Sequence, residues 1–385
     1  MWTCPVCNAE NTEHRVCPRC QYRPSDNFEQ FPTLSRLPNG VQSLRRRRVA
    51  WLATAGEGTL VCERCGGIAF AVNLRQHSCS CLQCGRKIGI GGNWAQPVGA
   101  FPVAHSTIAG GITYTAAIRC GGTLLLTKCP PEYRNLSYAV EHWDNLISIA
   151  AGDYYLLGLR SDGTVLAAGD ISGSVRNTAS WRNVVAISAG ATHSAGLMAD
   201  GTVVITDAAQ QLKAQHWKNV IAIAAGEDLT LALFKDGRVD ICCKKTRSYK
   251  EYDLSGWHDI VAICARNAQI AGVRKDGTVL AIGWNNYRQY NVQNWTDITA
   301  VAIGWTHTVG LRRDGTVVAS GYNFDGQCNV GQWSQIVAIY ACGHHTLGLR
   351  ADGTLVATGA DYSGQCDVTS WTEIQTAGAA AEIRR

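Results

Sequence analysis

Seven tryptophans, Trp143, Trp181, Trp217, Trp257, Trp295, Trp333 and Trp371, cut most of this 385-residue chain into near-equal lengths, with spacings of 38, 36, 40, 38, 38 and 38. An Asp-Gly pair keeps one phase between them: Asp162-Gly163, Asp200-Gly201, Asp236-Gly237, Asp276-Gly277, Asp314-Gly315 and Asp352-Gly353. Gly121-Gly122 holds that phase in an earlier, degenerate copy, which makes seven turns. Self-similarity at such a period constrains the architecture more than any other feature.

The unit is clearest from Trp295 to Trp333. Ile298–Ile303 and His307–Leu311 are short apolar runs, followed by Arg312-Arg313 and the Asp-Gly turn. Thr316–Ser320 is a third run and Gln327–Val330 is expected as a fourth. Asp-Gly between apolar runs predicts a two-residue hairpin of type I′. Four short strands per unit of about 40 residues describe a propeller blade. A helical solenoid is excluded, because no segment carries a long enough helical apolar period. The expected fold is all-β: a seven-bladed β-propeller, at residues 98–385, preceded by two small zinc ribbons.

The pattern W-x-x-I-x-A-I-x-x-G-x-x-H-T-x-G-L-R-x-D-G-T-V-x-A-x-G-x-N-x-x-G-Q-x-x-V, followed almost throughout by residues 295–333, resembles the repeat of the regulator-of-chromosome-condensation family. The resemblance covers roughly residues 101–378 and implies a seven-bladed propeller. It also brings expectations of function. Bacterial members with short loops include a propeller that caps β-lactamases. The eukaryotic namesake is a guanine-nucleotide exchange factor, but exchange needs a wedge and acidic loops for which no matching insertion is found.

His193, His307 and His345 share one repeat position with Tyr114, Tyr155, Leu229 and Gln269. A catalytic histidine would be unique, so these read as strand positions. The tryptophans are expected to pack between adjacent blades. Cys328 and Cys366 read as repeat filler. The eight cysteines after residue 97 are expected as small buried residues.

The first 84 residues hold nine of the seventeen cysteines, mostly as Cys-x-x-Cys pairs. Cys4, Cys7, Cys17 and Cys20 form one set, expected as a zinc ribbon over residues 1–23. Cys62, Cys65, Cys81 and Cys84 form a second set within residues 49–97, with Thr59–Val61 and Ile68–Val72 as expected strands. Cys79 and His77 lie close enough to compete for a ligand place in that set. Paired knuckles of soft ligands suit two structural zinc ions, and metal supplies the folding energy that so short a segment lacks.

Residues 24–48 read as a linker ending in Arg45-Arg46-Arg47-Arg48. Residues 1–97 carry a net charge of +6 and the remainder −1. That split assigns any nucleic-acid affinity to the N-terminal part and to the four arginines. A solvated basic linker is the plain alternative.

The chain is 46% hydrophobic and 17% charged, which excludes a disordered protein. No basic apolar leader precedes Cys4, and no run of about 18 apolar residues occurs, so a cytoplasmic protein without a membrane span is expected. No nucleophile elbow or phosphate loop appears, and both cysteine sets look closed, so a non-catalytic binding protein is expected. Its partner is expected to be a protein, with no small-molecule substrate. Two stretches are candidate contacts. Lys244, Lys245, Arg247 and Tyr249 lie in residues 241–252, which depart furthest from the repeat. Trp284, Tyr287, Tyr290, Tyr322, Phe324 and Tyr362 lie on corresponding loops of later units. Exposed aromatics there would anchor an interface; buried ones would support their own loop.

Overall fold

The computed structural model describes residues 106–128, 134–169, 177–243 and 252–376. It also describes the backbone of seven short strands before them. The chain divides into two units, Met1–Pro102 and Val103–Arg385.

In the first unit, Trp2–Thr3 pairs with Glu10–Asn11. Leu44–Arg45, Arg48–Leu52, Ala69–Asn73, Ser78–Cys81 and Lys87–Gly89 form a five-stranded antiparallel meander in chain order. Arg45 stands opposite Arg48 in the first strand pair of this sheet.

The second unit contains seven three-stranded antiparallel sheets, one for each turn counted in the sequence. The seventh blade shows the plan. Ile336–Ala341 is the inner strand, His345–Arg350 the middle and Leu355–Gly359 the outer. Expectation and structure part at the fourth strand. Gln327–Val330 is a turn, because Gln327 is buried and its Oε1 accepts from the Asp325 N–H at 3.1 Å. Side-chain bonds of this kind compete with the ladder for backbone groups.

The hairpin turns also differ from type I′. Among the Asp-Gly pairs only the glycines have positive φ, for example 83° at Gly163. Gly163 N–H bonds the Arg160 carbonyl at 3.0 Å, and Arg160 N–H bonds the Thr164 carbonyl at 3.0 Å. The loop is therefore three residues, a turn followed by a left-handed glycine. Asp162 Oδ1 accepts from both the N–H and the hydroxyl of Thr164, at 2.9 and 2.6 Å. That explains why threonine follows nearly every Asp-Gly.

Each tryptophan ring lies against the middle strand of its own blade. A Cβ on Gly158, Gly196, Gly310 or Gly348 would come within 2.7–2.9 Å of Trp143, Trp181, Trp295 or Trp333. The other side of the ring meets the preceding blade. Trp217 packs with Ala195, Leu197 and Val203 of the third blade as well as Val220 and Ala232 of the fourth. The tryptophans thus cement neighbouring blades, as their spacing predicts. Two residues after each tryptophan the backbone turns left-handed, from Asn145 (φ 53°) to Glu373 (φ 57°).

A second seam runs through the repeated histidine position. Tyr114 Oη donates to the Tyr155 carbonyl at 2.6 Å, and Tyr155 Oη to that of His193 at 2.8 Å. The Nε2 atoms of His193, His307 and His345 meet the hydroxyls of Thr230, Thr346 and Thr115 at 2.7, 2.8 and 3.0 Å. Gln269 Nε2 donates to the Trp305 carbonyl at 3.1 Å. These side chains staple six of the seven blades to the next, while Leu229 at the same position packs with Ile270 of the fifth blade; all stand at or directly before the start of a middle strand.

The ring closes by sharing one strand between the two ends of the domain. The middle strand Thr115–Ile118 pairs with Ile108–Gly110, and beyond it Arg119 bridges to Ile374. Cys120 N–H bonds the Glu373 carbonyl at 2.7 Å, and Gln375 N–H that of Ile118 at 2.8 Å. Ile374 is buried with Ile108, Ala117 and Leu349. Residues 371–375 therefore begin the first blade's inner strand, and Thr107–Gly110 complete it. Trp371 supplies the leading tryptophan that this blade lacks in its own sequence. Cys120, in the turn beside this joint, is exposed, unlike the buried Cys242 and Cys342.

Candidate functional site

Inner strands run toward one face of the disc and outer strands return to it. The turns after the inner strands and the loops after the outer strands therefore share that face, while the Asp-Gly turns occupy the other. Two features stand on the loop face: a set of aromatic loops and a capped central channel.

The loops after the fifth, sixth and seventh outer strands have one design. Asn285, Asn323 and Asp361 each accept, through Oδ1, the N–H five residues on, at 2.8, 2.7 and 2.8 Å. Gln289, Gln327 and Gln365 are buried, and each Oε1 accepts the N–H two residues back, at 2.9, 3.1 and 2.8 Å. Cys328 and Cys366 point their thiols at the carbonyls of Tyr322 and Ala360, at 3.4 and 3.5 Å. Partial burial pushes these thiols up to about 11 and about 12, so they serve as loop filler. Three rigid loops result, each held by its own Asn/Asp and Gln.

Aromatic side chains project from these frames. Phe324 and Tyr362 are 83% and 82% exposed, Trp284 65% and Tyr287 49%. Tyr287 meets Tyr322 of the next loop edge-on at 5.2 Å, and Tyr322 stacks on Phe324 at 6.2 Å. Tyr362 Oη donates to Asp325 of the preceding loop. That carboxylate raises the Tyr362 phenol above its ordinary range. So the structure joins Tyr287, Tyr322, Phe324 and Tyr362 into one band across three blades. Trp284 is exposed at the repeat position of Tyr322. Tyr290 does the opposite: it is buried under its own loop, which removes it from the candidate contacts.

The second candidate stretch begins later than its sequence suggests. Ile241, Cys242 and Cys243 keep blade register, Cys243 opposite Leu229. Lys244, Lys245, Arg247 and Tyr249 follow and lie outside the described residues. So do all the cysteines expected to bind zinc except Cys81, whose backbone ends a strand. Of the four arginines, Arg45 and Arg48 are strand residues; Arg46 and Arg47 lie outside the described residues.

The channel cap has no counterpart in the sequence reading. Inner strands enclose a central cavity of about 300 Å³. Across its loop-face end, Arg266 of the fifth blade reaches Asp153 of the second, Nη2 to Oδ1 at 2.8 Å. Trp305 Nε1 donates to the same oxygen at 3.2 Å, and Trp305 meets His344 edge-on at 5.3 Å. A usable signal existed. Arg266 stands where the repeat has Gly111, Gly152, Gly190, Gly226 and Gly304.

Residues 298–327 match the regulator of chromosome condensation (RCC1) repeat. No curated protein sequence matches the chain. Solved propellers resemble the fold. The CRINKLY WD40 ectodomain of the Arabidopsis thaliana receptor kinase ACR4 superposes with a TM-score of 0.50 at 16% identity, covering 66% of this chain and 94% of that one. The ectodomain of the Physcomitrella patens receptor kinase CR4 gives 0.51 at 16%, covering 66% and 73%. Prp20p of Saccharomyces cerevisiae, which has binding properties toward Gsp1p and histones, gives 0.45 at 15%, covering 60% and 76%. The fold is a seven-bladed propeller with an RCC1-type repeat. Among the described residues no helix is long and apolar enough to cross a membrane.

Proposed function

We propose that this protein is a non-catalytic binding scaffold, whose propeller engages a protein partner through the aromatic band of the fifth to seventh blades. The observation that carries this reading is exposure on a fixed frame: Phe324 and Tyr362 are more than four-fifths exposed on loops that buried glutamines hold. Rigid aromatics lose little entropy on binding and are the residues that anchor protein interfaces. The sixth and seventh loops add Asp325, Asp361 and Asp367 and no cation, which favours a basic partner surface. The zinc ribbons are structural or adaptor modules in this reading.

The test is affinity capture with the full chain against a variant carrying Trp284→Ala, Phe324→Ala and Tyr362→Ala. A partner retained by the full chain and lost by the variant supports the reading. Equal capture by both refutes it.

A second reading rests on the net charge of +6 over residues 1–97 and on the run Arg45-Arg46-Arg47-Arg48. Nucleic acid bound through residues 1–97 would meet that charge, and its affinity would fall steeply with salt. A nuclease arm in the same capture separates the two readings.

A further inference from the structure

The repeat puts glycine at the end of the inner strand for a steric reason. A Cβ on Gly190 would lie 2.1 Å from the Gly226 carbonyl oxygen, and one on Gly226 would lie 2.4 Å from that of Asn267. The turns of neighbouring blades pass too closely here for a side chain. Arg266 and Cys342 are the two departures among the described residues, and Arg266 is the longest side chain that could be placed there. Its side chain is only 10% exposed, yet it lines the central cavity. Burying a guanidinium is costly, so each of its donors calls for an account.

Asp153 provides for one of them, through Nη2. Nε is buried and has no acceptor. The neighbouring groups do not fill that need. Trp305 Nε1 is itself a donor and already uses Asp153. His344 has its own Nδ1 buried and unpartnered. Tyr340 Oη donates to the Ala151 carbonyl at 3.1 Å. The protein thus presents a cation braced by a carboxylate three blades away, and its side chain, one-tenth exposed, lines the cavity. A guanidinium carries five donors and takes a carboxylate by charge-assisted hydrogen bonds.

The rest of the cavity has a different character. Ile187, Ile223, Ile263, Val301 and Ile339 line it at equivalent positions of five blades. Its volume of about 300 Å³ corresponds to roughly ten water molecules at their liquid density. Ser106, Ser148 and Ser188 also line it, and the Arg266–Asp153 pair stands at one end. A mainly apolar well with a few polar groups has the make-up of a small-molecule site.

We propose that the central channel binds a small amphiphilic carboxylic acid, its carboxylate on Arg266 and its apolar body of about ten heavy atoms along the isoleucine-lined wall. The site is separate from the aromatic band and does not depend on its role. It also departs from the sequence expectation that no small molecule is involved.

Octanoate is a suitable probe, measured by calorimetric titration of the full chain. Saturable binding at one site per chain is expected. Octanol, with the same body and no charge, should bind at least tenfold more weakly, and octyl phosphate should also bind more weakly than octanoate. Arg266→Gln should reduce octanoate binding at least tenfold. Because that change also unbraces Asp153, Ile187→Trp is the second variant: it fills the channel, leaves the ion pair in place and should also abolish binding. No saturable octanoate binding to the full chain would overturn the proposal. So would undiminished binding by either variant with an unchanged melting profile. Octyl phosphate or octanol binding as tightly as octanoate would overturn the carboxylate assignment.

Discussion

His345 of the seventh blade donates its Nε2 hydrogen to the Thr115 hydroxyl of the first, because that hydroxyl spends its own hydrogen on the Gln365 carbonyl at 2.7 Å. The same holds for His307, whose acceptor Thr346 donates to the Gln327 carbonyl at 2.7 Å. Both rings are therefore neutral, with Nδ1 bare, buried and unpartnered. A proton on either Nδ1 would meet no acceptor.

Acid should consequently weaken the ring. Burial depresses both histidines from 6.5 to about 3. Between those values the unfolded chain binds protons that the folded chain refuses. The stabilisation is complete above pH 6.5 and is lost as pH falls toward 3, by up to about 1.4 kcal/mol per pH unit for each histidine. Denaturant unfolding at pH 7.5 and pH 5 measures it. Glutamine is at home in this position at Gln269, so a His307→Gln, His345→Gln double variant should show a shallower pH dependence. An unchanged slope would contradict the assignment.

Closure through residues 371–375 predicts that Ile374 matters as much as a central core residue. Ile374→Ala should cost about 3 kcal/mol, the usual scale for a buried isoleucine. Deleting residues 370–385 should lower the melting temperature further and promote association, because the first blade's edge is left open. A truncated chain that melts like the parent and stays monomeric would rule out the shared strand.

The Arg266–Asp153 pair should show strong coupling. Asp153→Ala leaves a buried guanidinium without its carboxylate, at a cost of about 3 kcal/mol or more. Adding Arg266→Met to that variant removes the charge and should restore much of the loss. A double-mutant cycle in denaturant reads this directly, and simple additivity would mean the two side chains do not act as a pair.

The cysteine sets predict two zinc ions per chain, held by Cys4, Cys7, Cys17 and Cys20 and by Cys62, Cys65, Cys81 and Cys84. Elemental analysis of the native protein should find two equivalents. Cys17→Ser should release one of them and leave the propeller's thermal transition in place, since metal is the main folding energy of so short a segment. One equivalent or none in the unaltered chain would refute the assignment.

Most of the propeller was legible because its determinants are periodic. Trp143 to Trp371 mark the seams, the Asp-Gly pairs mark the hairpins, and Trp371-Thr372-Glu373 announces an inner strand with no blade of its own. The expected fourth strand at Gln327–Val330 does not form because Gln327 bonds within its loop, a local preference that outweighs strand propensity. Tyr290 and Phe324 look alike in sequence, yet one is buried and the other exposed, since they occupy different positions of the loop. Arg266 and Asp153 were missed for another reason. Their pairing crosses the ring, and a repeat describes only what neighbouring blades share.

The divided inner strand of the first blade has a consequence for synthesis. Its second half, at Thr107–Gly110, is among the first parts of the propeller to be made, while its first half, at Ile374, is among the last. At translation rates of about 5–20 residues per second, the first sheet waits on the order of tens of seconds for its missing piece. Until then the nascent chain carries two raw edges. A propeller built this way cannot finish its oldest blade until residues 371–375 emerge.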